Sequence, residues 1–289
     1  MRLFTRFAVI DWSGEAVARP KGLALAEATV GRFAPALLRP EDGWSRARIA
    51  DWLEAHAEAG TDLLIGLDLS PGLPFLDQGS YFPGWPASPP DAKALWRFVD
   101  EASVDDDHLA VNGFLRHEHA HPHFRHHTGT GAAFPGGRGR LRVCEVEQAR
   151  MGLSPSSCLN LVGAAQVGKS SLTGMRVLHR LDNRIPVWPF DPVPQRGPVI
   201  VEIYTAIAAR AAGLLRGLSK IRDQTGLDAA LEALGSDKHP GLARHDDHST
   251  DAIVTTAWLR AVAHRPELWS PAALTPEIAR TEGWTFGVP

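Results

Sequence analysis

Several acidic residues and one histidine stand where an α/β chain could use them for chemistry. Asp11 closes the apolar run Phe4 to Asp11, FTRFAVID, and is followed at once by Trp12-Ser13-Gly14. Asp68 stands at the end of the run from Asp62 to Leu69, DLLIGLDL, which Ser70-Pro71-Gly72 closes. Asp251 ends the string Asp246-Asp247-His248-Ser249-Thr250-Asp251 ahead of a long apolar stretch, and Glu202 lies within VIVEIY. In α/β sheets, sites form beyond the carboxyl ends of the parallel strands. If the strands ending at Asp11 and Asp68 are parallel neighbours, about 4.8 Å apart, their carboxylates lie side by side. Two carboxylates so close repel, so one is protonated or a cation sits between them. An oxygen-only donor set suits Mg2+ or Mn2+ rather than zinc. On a helix, Asp247 and His248 would share a face with Asp251, four and three residues on. The ligand set read this way is Asp11, Asp68 and Asp251, with Glu202 as a further candidate, and His248 or Asp247 would complete the shell or move protons. Each aspartate alone also suits a turn or helix cap. It is three of them, each at the end of an element on one side of a sheet, that point to a site.

Other segments carry weaker signals. Gly163 to Ser170, GAAQVGKS, fits the phosphate-loop pattern, but a true phosphate loop follows directly on a buried strand, and Cys158 to Val162 is short and poor as one. Lys169 is therefore expected to bind no nucleotide, although it could touch a nucleic-acid phosphate. Arg138, Arg140 and Arg142, separated by Gly139 and Leu141, are the best local phosphate-contact candidates. The tract holding His117, His119, His121, His123, His126 and His127 could bind zinc or nickel, but reads rather as a polar loop with incidental affinity, because alternating histidines around Pro122 have no fixed ligand geometry.

Three strand-like runs come first, at about 4–11, 22–28 and 32–38. An amphipathic helix over 44–59 and a strand over 62–69 follow. Periodicity is then lost from Pro71 to about Asn160, which reads as an irregular insertion with a short helix near Asp91 to Val99. Regular structure resumes with a helix near 170–181, a short extended piece at Val187 to Phe190, and a strand at Val199 to Tyr204. Helices follow near 205–215, 227–234 and 249–263. The 289 residues are 44% hydrophobic and 22% charged, ordinary for a globular chain and read here as one domain over 1–289 with an insertion at about 71–160. A net charge of −3 provides no global basic field, so nucleic-acid binding would rest on a local patch. Two cysteines, Cys144 and Cys158, make neither a disulfide framework nor a zinc pattern. With no membrane-length apolar run and no signal-peptide pattern, a cytoplasmic protein is expected.

The opening DWSG, the strand GLDLS, the segment VGAAQVGKSSLTGMRVLHRL followed by VWPF, VIVEIY, and the ending DDHSTDAIVTTAWLRA together resemble a domain-of-unknown-function family of predicted RNase H-like nucleases. More distantly, they resemble RuvC-type resolvases. Residues from about 77 to 140 carry little of the likeness. The resemblance implies an RNase H-like fold, a mixed five-stranded sheet flanked by helices with the insertion after the fourth strand. It also implies acids after the first and fourth strands and on the last helix, at Asp11, Asp68 and Asp251. His248 matches the Asp or His that RuvC-like members place three residues before the last acid; Asp68 departs from the Glu that many carry. The expectation is a metal-dependent nuclease working by a two-metal-type mechanism on DNA or RNA, with Ser13, Lys169, Arg138, Arg140 and Arg142 touching substrate. A non-catalytic scaffold binding a nucleotide, nucleic acid or protein is the alternative. An actin-like ATPase, suggested by a D-x-S-G turn after the first strand, or a P-loop NTPase is a weaker one. The oligomeric state, dimer included, stays open.

Overall fold

Alternate residues of the central strands enter two different cores, one on each face of the sheet, and this sets the layering. The computed structural model describes residues 2–163, 167–214 and 220–289. Strands β1 (Arg6–Asp11), β2 (Ala24–Thr29), β3 (Ala36–Leu38) and β4 (Leu63–Asp68) come first. A small hairpin, β5 (Arg125–His126) and β6 (Gly129–Thr130), stands apart from them, and β7 (Val187–Trp188) and β8 (Val199–Glu202) come last. Across the main sheet the order is β3-β2-β1-β4-β8-β7. β2 runs antiparallel to both β1 and β3, while β1, β4, β8 and β7 run parallel. Among the described residues the main sheet therefore has six strands rather than the expected five. The extra one is the piece at Val187 and Trp188, which pairs with Ile200 and Val201. Two residues followed by Pro189 are too few to show a period, so sequence could not promote them to a strand.

On one face of the sheet Ala8, Ile10, Leu63, Ile65, Leu67 and Ile200 share a core. Phe7, Val9, Leu64, Val199 and Val201 point to the other. That double burial is why β1, β4 and β8 read as continuous apolar runs. Helix α1 (Arg46–Glu58) is N-capped by Ser45, whose hydroxyl accepts from Arg48 N–H, and it buries Ile49 and Leu53 on the first face. Segment 71–160 is less irregular than expected. It forms α2 (Ala92–Glu101), α3 (Asn112–Arg116) and α4 (Val143–Arg150), and sends Tyr81, Phe82, Trp96, Phe114 and Phe124 into the same core as Ile10 and Ile65. Short elements with aromatic anchors leave little periodicity to read. The histidine tract lies against these rings: His119 stacks on Trp85 at 4.9 Å, His121 on His126 at 4.0 Å, and His123 is buried.

Helices α5 (Val167–Arg180), α6 (Thr205–Ala211), α7 (Gln224–Ala233), α8 (Asp247–Val262) and α9 (Pro276–Thr281) complete the chain. Helix α8 packs Ala252, Ile253 and Ala257 on Ala24 and Ala26, and Trp258 and Leu259 on Phe7 and Val9. It begins two residues before the expected Ser249, because Asp246 accepts from Ser249 N–H at 3.0 Å and so caps it. Both cysteines are buried and unpaired. Among the described residues no helix is long and apolar enough to cross a membrane.

Candidate functional site

The β1–β4 register puts Asp11 directly opposite Asp68 at the carboxyl ends of two parallel strands. Both strands stop there because Trp12-Ser13 and Ser70-Pro71 turn away. Asp11 is buried, whereas Asp68 is part-exposed, lining a cavity of about 160 Å3 with Trp12, Ser70, Ser170 and Tyr204. Asp251 arrives from the second turn of α8. Burial and the charges of Asp11, Asp251 and Glu202 hold the Asp68 carboxyl well above the usual carboxylate range. The backbone N–H of Thr205 offsets this in part, and among the described residues no cationic side chain pairs with it. Burial also raises Asp11, although His248 Nδ1 donates to its Oδ2 at 3.1 Å. That bond in turn raises the imidazole above its ordinary value. Asp251 is pushed up to about 6, chiefly by burial, against the pull of Lys220, whose Nζ lies 3.5 Å from its Oδ2.

Other expected site residues have different work. Glu202, a candidate metal ligand, is held by Arg142 through two hydrogen bonds of 2.6 and 2.8 Å, and accepts a third from Thr285 Oγ1 at 2.7 Å. Its oxygens are therefore already engaged. Arg142, expected to meet substrate, is only 1% exposed and also donates to Glu145, Ser70 Oγ and the Glu282 carbonyl. Arg140 is likewise buried, pinned to Asp77 and to the carbonyls of Pro74, Ser80 and Tyr81. Both arginines are structural anchors, and only Arg138 of the three stays exposed. Asp247 faces cations rather than the strand ends, pairing with Arg222 at 2.5 Å and Lys220 at 3.2 Å.

The Trp12-Ser13-Gly14 turn is clamped against the start of α5. Trp12 Nε1 donates to Thr173 Oγ1 at 3.0 Å, and buried Arg46 donates to the carbonyls of Ser13 and Glu15. Ser13 is itself buried, its hydroxyl accepting from Glu15 N–H. A Cβ on Gly14 would stand 2.4 Å from the carbonyl carbon of Lys169 and from Ser170 N, so no side chain fits there. Gly14→Ala should therefore cost about 1–3 kcal/mol in denaturant unfolding; an unchanged midpoint would contradict this close approach. Lys169 is half-buried in the first turn of α5. The segment before it, Cys158 to Val162, contributes no strand to the main sheet: Asn160 makes only an isolated bridge with Arg125. That removes the buried strand a phosphate loop requires. Residues 164–166 of the Gly163–Ser170 pattern lie outside the described residues.

Sequence reasoning missed Lys220 and the Arg142–Glu145–Glu202 cluster. Lys220 carries no local motif, and the cluster joins residues up to 60 positions apart. Among the described residues no group of three or more His, Cys, Asp or Glu side chains is arranged to hold a metal ion as it stands. What the fold assembles is a register-matched aspartate pair, one of them on His248, with a third aspartate close enough to raise its neighbours. No family model, no curated protein and no solved structure matches the chain.

Proposed function

We propose that this protein is a metal-dependent phosphodiesterase acting on nucleic acid. The observation that carries the reading is the Asp11–Asp68 pair at the ends of adjacent parallel strands, with Asp68 held against its ionisation and given no cationic partner among the described residues. A strand order of β3-β2-β1-β4-β8, with only β2 reversed, is also the arrangement expected of an RNase H-like core. The donor set fits a hard divalent ion in kind: oxygen only and crowded, with Asp68 given no cationic partner among the described residues. Asp11 and Asp68 would hold Mg2+ or Mn2+, with Asp251 as the third acid once drawn from Lys220. Such an ion would supply an activated water and charge neutralisation at the leaving oxygen. His248, hydrogen-bonded to Asp11, orients that carboxylate and can take up or release a proton beside it. Trp12 and the α5 start form part of the wall of the cavity beside Asp68.

One observation favours a second reading, a binding scaffold without hydrolysis: Lys220 already spans Asp247 and Asp251. A screen of end-labelled single-stranded, duplex and branched DNA and RNA in Mn2+ separates the two. Cleavage that disappears with Asp11→Asn while the circular dichroism spectrum is retained is the expected result. Cleavage undiminished in a pure Asp11→Asn preparation, or no cleavage of any substrate by the wild type, removes the nuclease reading.

A further inference from the structure

A second cavity, about 260 Å3, opens beside the one that holds Asp68, and both are lined by Pro155 and Ser156. Its walls include Arg125, Arg138, Ser157 and Phe134, and among the described residues no acidic side chain lines it. Both guanidinium groups are exposed, and among the described residues neither has a hydrogen-bond or ion-pair partner. The buried arginines Arg140, Arg142 and Arg46, by contrast, are held by Asp77, by Glu202 and by backbone carbonyls.

The backbone fixes where these two cations stand. Arg125 donates its N–H to the Leu159 carbonyl at 3.0 Å and accepts from Leu161 N–H at 3.1 Å, which ties the hairpin to the cavity wall. Arg138 sits at the tip of a turn closed by Gly139 N–H on the Gly136 carbonyl at 3.0 Å, where Gly136, Gly137 and Gly139 all take positive φ. The turn thus presents Arg138 outward while Arg140 and Arg142, two and four residues on, are drawn into the protein.

We infer that this cavity is a phosphate-binding subsite, in which Arg125 and Arg138 grip a backbone phosphate of a nucleic-acid strand whose neighbouring phosphodiester lies at Asp68. Two unpaired, planar guanidiniums around one concave, acid-free space match a phosphate oxyanion. An otherwise acidic chain of net charge −3 needs such a local patch to hold a polyanion at all. The shared wall at Pro155 and Ser156 makes the two cavities adjacent, so a strand bound in one passes the other. The assignment of the neighbouring phosphodiester rests on the nuclease reading; the phosphate subsite itself does not.

The test uses fluorescently labelled single-stranded DNA and RNA 15-mers, followed by anisotropy in EDTA, where no cleavage occurs. The wild type should bind both probes. Arg125→Gln with Arg138→Gln should weaken binding by about tenfold or more and make the log–log salt dependence shallower by about 0.7–1.4, the share of one to two single-strand phosphates. Arg125→Lys with Arg138→Lys should recover part of the loss. Unchanged affinity and slope in the glutamine variant, or no binding of either polyanion by the wild type, overturns the subsite. Wild-type binding of this kind without cleavage in Mn2+ leaves the subsite standing and removes only the nuclease reading.

Discussion

Asp68→Asn should abolish cleavage and, in metal-free buffer, make the protein more stable. The carboxyl is raised by burial and by three neighbouring acids, so keeping it ionised at neutral pH costs folding free energy. Its folded pKa lies above the unfolded value near 3.9, so the folded state holds a proton that the unfolded state has already lost. The wild type therefore regains stability as pH falls through the folded pKa toward about 4. Asparagine, of the same shape and uncharged, removes the cost at every pH. We expect a gain of about 1–3 kcal/mol for the variant at pH 8 in EDTA, shrinking as the pH approaches 5. Cleavage should meanwhile fall by about a thousandfold or more, as expected when an acid that positions the reacting groups is lost. Melting curves across pH, run beside a cleavage assay, check both halves. A variant less stable than the wild type at pH 8 would mean that Asp68 is a structural cap and not a strained functional acid.

Arg142→Ala should be the most destabilising single change among the residues once attributable to substrate binding. Its guanidinium joins the end of β8, the first turn of α4, the exit of β4 and the carbonyl of Glu282. Truncation leaves Glu145 and Glu202, 3% and 4% exposed, without their cation. Removing one partner of a buried ion pair costs about 3–5 kcal/mol, a fall in melting temperature on the order of 10 °C for a chain of this size. Arg142→Lys should rescue little, because an ammonium cannot reproduce the two parallel bonds to Glu202. Combining Arg142→Ala with Glu202→Gln should cost less than the sum of the two single changes, since they share one interaction. Chemical denaturation of the four proteins measures it. An Arg142→Ala protein with wild-type stability but lost substrate affinity would return that arginine to the substrate.

These two residues mark what could be read from sequence and what could not. Asp11 and Asp68 are legible because each ends an apolar run of strand length before a turn, the pattern of a strand buried on both faces. Asp251 was legible because the apolar stretch after it requires α8 to lie on the sheet. The opposite fates of Arg138, Arg140 and Arg142 were not, since a Gly-Arg-Gly-Arg-Leu-Arg string carries no sign of which guanidinium meets a buried carboxylate. Asp77 and Glu202, which decide it, lie about 60 residues away on either side. Glu202 misled for the same reason: a carboxylate in a strand next to the site reads as a ligand until its cation is known. The segment from Pro71 to Asn160 looked irregular because its helices are short and its core contacts come from single aromatics such as Phe82 and Phe114 rather than from a repeating stripe. Lys220, beside Asp247 and Asp251, has no neighbour in sequence that hints at its position.

Calorimetric titration of Mn2+ into the wild type, Asp11→Asn and Asp68→Asn bears most directly on the central claim, that the two strand-end aspartates form a cation site. Saturable binding by the wild type, weakened at least tenfold in each variant, is the expected result. Binding of equal strength in all three proteins, or none in the wild type, would contradict it.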